Sequence, residues 1–246
     1  MNRHDHSSDH DRDHGPAHDQ ERAHAHDHGH SHDHPGDEAA HFDAAAATWD
    51  EPDKVQQAAH LAAAIRDRVP LEPTWVALDF GAGTGLLSVR LAASVAEIDM
   101  VDTSTGMLTA AEQRRVEHPN LRAARRDLTT EPAPREHYDL ITASLSLHHV
   151  PDVAGVLDRF TELLTPGGWV AIAELAADGT DDFHSHRDDF TGHHGFEPAE
   201  LVGDLTARGF ESVGHVRYAT IAREVDGRSK DFAVHLITGR APLTDA

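Results

Sequence analysis

The chain has 246 residues, a formal net charge of -22 with its histidines neutral, and no cysteine. One domain with room for a full core is the default at this length, and the missing cysteine excludes disulfides, thiolate metal sites and cysteine nucleophiles. A surface this acidic repels phosphate backbones and excludes nucleic acid as a partner.

Residues 1–38 are almost entirely His, Asp, Gly, Ser, Ala and Arg. Such a segment buries too little surface to offset its ordering entropy, which predicts a disordered tail ahead of a domain over 39–246. Six of its histidines, His24, His26, His28, His30, His32 and His34, alternate with other residues. Imidazoles interleaved with carboxylates can bind zinc, nickel, cobalt or copper; a solvated tail with no selected affinity is the competing reading. No apolar run is long enough for a signal sequence or a membrane span, so a soluble, cytoplasmic protein without a membrane partner is expected.

Structure is expected to begin near His41-Phe42-Asp43. After Pro52, Val55, Ala58, Leu61, Ala62, Ile65 and Val69 keep an apolar stripe at helical spacing. Next comes Val76-Ala77-Leu78-Asp79-Phe80-Gly81-Ala82-Gly83-Thr84-Gly85, followed by Leu86, Leu87, Val89, Leu91 and Ala92. This reads as strand, glycine loop, helix. Glycines at alternate positions permit positive φ and close approach of a ligand to the main chain. Asp79 can fix the loop by accepting amide hydrogen bonds, or meet a cationic part of the ligand. A dinucleotide fingerprint has its third glycine one residue later, where Leu86 stands, so the spacing favours a cofactor without a pyrophosphate.

The run Leu78-Asp79-Phe80-Gly81-Ala82-Gly83-Thr84-Gly85 resembles the first motif of the class I S-adenosylmethionine-dependent methyltransferases, and the resemblance extends over roughly residues 40 to 240. It implies an α/β, Rossmann-like, doubly wound sheet of seven mostly parallel strands in the order 3-2-1-4-5-7-6, with strand 7 antiparallel. It also implies S-adenosylmethionine lying across the carboxyl ends of the first strands, against Asp79, Gly81, Ala82, Gly83 and Gly85. Phe42 and Trp49 fall where family members carry a segment that folds over the cofactor; ordinary aromatic packing is the alternative.

The second strand, Glu97 to Asp102, ends on a carboxylate that can accept hydrogen bonds from ribose hydroxyls. A helix cap is the rival role for Asp102, though Thr103 or Ser104 serves as well. Met107 and Leu108, one turn into the next helix, fall near the adenine by resemblance, or simply in the core. The third strand, Leu121 to Arg126, ends at Asp127-Leu128. The resemblance puts Asp127 on the adenine amine and Leu128 on its ring, whereas adjacent Arg125 and Arg126 suggest a surface ion pair.

The fourth strand, Tyr138 to Ala143, opens into Ser144-Leu145-Ser146-Leu147-His148-His149-Val150-Pro151-Asp152. This strand end borders the crevice of a doubly wound fold, where Ser144 joins the expected cofactor contacts. The loop lacks the Asn/Asp-Pro-Pro-aromatic signature of enzymes acting on exocyclic amines and resembles the small-molecule branch of the family. His148 or His149 could act as a general base, or merely order the loop.

A helix from Val153 to Leu164 ends at Pro166-Gly167-Gly168, and Trp169 to Leu175 forms the fifth strand. Residues 176–196 lose apolar patterning, which marks a substrate cap or a solvated loop; His184, His193 and His194 are a possible metal trio. A helix opening at Glu197-Pro198 ends at Gly209. Two strands then flank the hairpin signal Asp226-Gly227. The reading is a methyltransferase acting on a small-molecule acceptor. A quinone-type ring methyltransferase is the runner-up, and a metal-homeostasis protein on the same scaffold is the rival from another class.

Overall fold

The apolar runs become strands in the computed structural model, which describes residues 35–187 and 190–243. They are β1 (Val76–Phe80), β2 (Glu97–Asp102), β3 (Leu121–Arg125), β4 (Tyr138–Ser144), β5 (Leu164–Leu175), β6 (Glu211–Val225) and β7 (Arg228–Arg240). They form one sheet in the order β3-β2-β1-β4-β5-β7-β6. β7 runs antiparallel to both β5 and β6, and the other pairings are parallel. Order and directions are those expected.

Among the described residues six α-helices accompany the sheet: α1 (Pro35–Ala45), α2 (Pro52–Arg68), α3 (Leu86–Leu91), α4 (Thr105–Gln113), α5 (Val153–Leu163) and α6 (Pro198–Ala207). Because side chains alternate along a strand, each strand feeds two cores. Leu78, Ile141, Val170 and Ile237 pack with Val156, Leu157 and Phe160 of α5 and with Leu201 and Leu205 of α6. Ala77, Ile98, Met100, Leu140 and Ala171 pack on the other face with Leu61 and Ile65 of α2, Leu87 and Leu91 of α3, and Ala111 of α4. With both faces covered, the inner strands read as continuous apolar runs rather than as an alternation.

Local chemistry sets the helix ends. The Asp152 carboxylate accepts from the Gly155 amide at 2.9 Å and starts α5. Proline opens α2 and α6 at the position where its missing N–H costs nothing. At the β6–β7 hairpin Asp226 and Gly227 take φ of 50° and 73°, and Val225 pairs with Arg228 across a two-residue turn.

Two boundaries differ from expectation. The first helix begins at Pro35, so residues 35–38, assigned from composition to the tail, belong to α1. β5 begins at Leu164, directly after α5: Tyr138 pairs with Leu164 and Leu140 with Trp169, so Thr165 to Gly168 bulge out of the ladder instead of preceding it. The tail histidines His24, His26, His28, His30, His32 and His34, and the disorder expected there, lie outside the described residues. Among the described residues no helix is long and apolar enough to cross a membrane.

Candidate active site

Gly81, Gly83 and Gly85 all take left-handed backbone, with φ of 62°, 55° and 81°. The loop they form is tied to β2: the Ala82 amide donates to the Val101 carbonyl at 3.0 Å, and the Gly83 amide donates to Asp102 Oδ2 at 2.8 Å. Asp102 Oδ1 accepts from the Ser104 amide at 2.8 Å. Asp102 therefore joins two loops and is not a helix cap. Ser104 is the cap of α4, accepting from the Met107 amide at 3.1 Å. Burial raises the Asp102 pKa against the lowering effect of these backbone amides. Thr103 is exposed, whereas Met107 and Leu108 are buried.

Of the two roles open to Asp79, amide acceptor or contact with a cation of the ligand, the first is not seen among the described residues: Ser88 of α3 donates a hydroxyl at 2.6 Å and Thr142 of β4 another at 2.7 Å. Burial pushes its pKa up to about 6, and the neighbouring Asp102 charge adds to the rise. Asp127 Oδ1 accepts from the Thr129 amide at 3.0 Å, and Arg126 donates to the Arg125 carbonyl. Among the described residues no ion pair joins Asp127 to either arginine. Leu128 is buried beside Val101, and Ser144 closes β4, paired with Ala173.

The leading segment reaches these loops. Asp43 Oδ1 accepts from Ser104 Oγ at 2.6 Å and from the Gly106 amide at 2.7 Å. Asp50 accepts from Thr84 Oγ1 at 2.5 Å and pairs with Arg114. Phe42 packs edge-on to Trp49 at 5.6 Å between ring centroids and to His149 at 5.0 Å. One short segment thus touches both the glycine loop and the end of β4.

At that end, residues 147–149 make a single 3-10 turn. His148 is 3 % exposed, and its Nδ1 lies 2.8 Å from Oε2 of Glu174, itself 1 % exposed in the penultimate position of β5. Glu174 also accepts from the Leu147 amide at 2.7 Å and the Leu175 amide at 3.3 Å. An ionised carboxylate only accepts, so the His148 proton sits on Nδ1 and the lone pair on Nε2. His149 Nδ1 lies 3.2 Å from Glu38 Oε2 of α1, within ion-pair distance but off the line of a hydrogen bond. Burial lowers the His149 pKa despite Glu38. Burial opposes ionisation of Glu38, but His149 and Arg187 beside it hold its pKa at about 2.

The described part of 176–196 is mixed, with Asp178, Gly179, Thr180, Asp181, Ser185, His186, Thr191 and His194 exposed and a small packed centre. Phe183 and His184 are buried in a 3-10 turn, and Ala176 bridges Phe196. His184 stacks on Phe190 at 3.7 Å between centroids. Arg187 donates to both oxygens of Glu38, at 3.1 and 2.9 Å, so this loop and α1 meet over the histidines. The possible trio of His184, His193 and His194 does not form the histidine group seen among the described residues. His193 Nε2 sits 3.1 Å from the Val150 carbonyl, while one ring nitrogen of each of His148, His149 and His184 lies within 4.8 Å of the others.

Glu174, Glu38, Arg187, Asp43 and Asp50 escape sequence reasoning. Only Glu174 leaves a signal, as a lone acid inside an otherwise apolar strand, where a charge persists only if it is paired.

Residues 78–170 match the family model described as a methyltransferase domain. An uncharacterized methyltransferase of Mycobacterium tuberculosis is 34% identical over 113 residues, 46% of this chain and 56% of that protein. A ubiquinone biosynthesis O-methyltransferase of Leptothrix cholodnii is 31% identical over 101 residues, 40% of this chain and 43% of that protein. The chain thus spans about half the length of the curated relatives it matches. Among solved structures, Haemonchus contortus phosphoethanolamine N-methyltransferase 2 in complex with S-adenosyl-L-methionine superposes with a TM-score of 0.60 and 15% identity, over 74% of this chain and 52% of that one, a likeness of fold. The matched segment contains the glycine loop and the strands that frame it, so this part of the chain is similar to a methyltransferase domain, on a sheet of the expected strand order.

Proposed function

We propose that this protein transfers the sulfonium methyl of S-adenosylmethionine to a small-molecule acceptor, releasing S-adenosylhomocysteine. The observation that carries the reading is the bond from the Gly83 amide to Asp102 Oδ2, which holds the glycine loop against the end of β2. Gly81, Ala82, Gly83 and Gly85 form the floor for the cofactor. Asp102 keeps lone pairs for the ribose hydroxyls beyond its two amide bonds, since each carboxylate oxygen has two. Met107, Asp127 and Leu128 take the adenine end, while Asp79 and Ser144 take the methionyl end.

The acceptor enters beside His148 and His149. In-line attack on the methyl carbon forms the new bond as the carbon–sulfur bond breaks, and the acceptor proton leaves to a neutral imidazole or to water. Positioning supplies most of the acceleration. His148 fits the base role best, because Glu174 fixes its tautomer and leaves Nε2 unprotonated.

Calorimetric titration of S-adenosylmethionine into chelator-treated wild type and Asp102→Ala tests the reading. Micromolar binding that weakens at least tenfold in the variant, about 1.4 kcal/mol, is expected. No binding to the folded wild type would overturn it. That outcome with tight metal binding would favour the rival, a metal-homeostasis protein whose tail histidines hold zinc or nickel. A quinone-type ring acceptor is the second reading, supported by the likeness to the ubiquinone biosynthesis enzyme; turnover of hydroxylated aromatic rings but not of aliphatic acceptors would favour it.

Affinity should also depend on pH through Asp79. Its folded pKa of about 6 lies above the ordinary value, so the free protein binds this proton below pH 6 and loses stability as the carboxylate ionises. A cationic cofactor favours the ionised form, so the dissociation constant should tighten about tenfold from pH 5 to pH 7. Asp79→Asn should flatten that profile; an unchanged slope would remove Asp79 from the cofactor site.

A further inference from the structure

Three imidazoles from two separate turns converge at the carboxyl edge of the sheet. His148 and His149 leave β4 side by side, ring centroids 4.2 Å apart. His184 arrives from the 176–196 loop with its ring 5.2 Å from His148 and 6.0 Å from His149. His184 is 4 % exposed, and its Nδ1 is buried with no hydrogen-bond partner among the described residues. An unpaired buried ring nitrogen costs free energy unless something fills its lone pair or N–H.

We propose that His148, His149 and His184 form a binding site for a divalent transition-metal ion, with zinc as the reference ion and one coordination position left open.

Donor chemistry selects the ion class. Three nitrogen ligands with no thiolate suit zinc, cobalt, nickel or copper, and disfavour magnesium and calcium, which prefer oxygen ligands. Carboxylates back two of the ligands from outside, Glu174 behind His148 and Glu38 behind His149, an arrangement that orients imidazoles on metals. Nitrogens bound at about 2.0–2.1 Å stand about 3.4 Å apart in a tetrahedron, so the observed 4.8 Å limit requires rotation of the rings by roughly an ångström.

Phe190 and Phe42 enclose the cluster, each edge-on to His149. Three protein ligands leave a fourth position for water or for a hydroxyl or thiol of a bound molecule, whose pKa the ion would lower. With the ion bound, His148 Nε2 is a ligand and no longer the base of the proposed reaction; an acceptor held in the open position would lose its proton to water instead. The metal site stands or falls apart from methyl transfer.

The test uses the full-length chain with the eleven histidines from His4 to His34 replaced by alanine, so that tail binding drops out. After chelator treatment, calorimetric zinc titration and cobalt absorption should show one ion per chain, bound with a dissociation constant below about 1 μM. Adding His184→Phe, which keeps the stack on Phe190, should weaken binding at least a hundredfold. His149→Gln serves as the second variant, and circular dichroism checks the fold of each. X-ray absorption of the loaded tail-substituted protein should count three imidazole ligands. The proposal is overturned if that protein binds no ion, if both folded variants bind as tightly as their parent, or if fewer than three imidazoles ligate. Titration of S-adenosylmethionine into the same samples reports separately on the methyltransferase reading.

Discussion

Gly81→Ala is expected to abolish measurable cofactor binding and to destabilise the domain. The residue holds φ of 62°, and a Cβ built there falls 2.4 Å from Ser146 Cβ and 3.0 Å from Ser146 Oγ. Left-handed backbone costs a residue with a Cβ about 1–2 kcal/mol. Forcing a methyl into a filled space adds about 1–3 kcal/mol. Ser146 cannot yield freely, because its Oγ donates to the Phe80 carbonyl at 3.2 Å and so ties the β4 loop to the end of β1. Relief must come from the glycine loop, which would swing away from Asp102. Chemical denaturation should show a loss of about 2–5 kcal/mol, the sum of these two costs. Calorimetry should show affinity down at least a hundredfold. Adding Ser146→Gly removes the overlap but not the backbone cost, so partial recovery is expected. Wild-type affinity in Gly81→Ala alone would show that the loop adapts and that the crowding is irrelevant.

Glu174→Ala should destabilise the domain to a comparable extent. The carboxylate, 1 % exposed, accepts from the Leu147 amide, the Leu175 amide and His148 Nδ1. Truncation strands three buried donors and opens a cavity. The expected loss is about 3 kcal/mol, from leaving buried donors unmet. For a domain of this size that lowers the melting temperature by about 6–12 °C. Glu174→Gln keeps the volume and one carbonyl acceptor, and should recover part of the loss without restoring the tautomer of His148. If Glu174→Ala melts within 2 °C of wild type, the 3-10 turn holding His148 and His149 is supported by something other than this side chain.

Both expectations turn on how loops from distant parts of the chain support one another. The ion pair of Glu38 with Arg187 is another such support. It links α1 to the 176–196 loop across the histidines, with both guanidinium nitrogens engaged. The two covering segments are thereby joined over the same part of the site that takes the acceptor in the proposed reaction.

By itself the sequence determined what adjacent residues can encode. Alternate glycines specified the left-handed loop, because the backbone preference belongs to each residue. Asp226-Gly227 specified the hairpin for the same reason. Apolar runs separated by helical stripes marked the sheet, since a strand covered on both faces is mostly apolar along its length. Asp102 was legible as the carboxylate that closes its strand just ahead of the loop. Only the tertiary structure decided that Asp102 binds the Gly83 amide, that Asp79 takes two hydroxyls, and that Glu174 underpins His148. It alone brought His184, from a stretch that reads as polar loop, against His148 and His149. These contacts join residues far apart in the chain, and no local preference or periodicity encodes a partner set by the closing of a sheet and the folding of two segments over its edge.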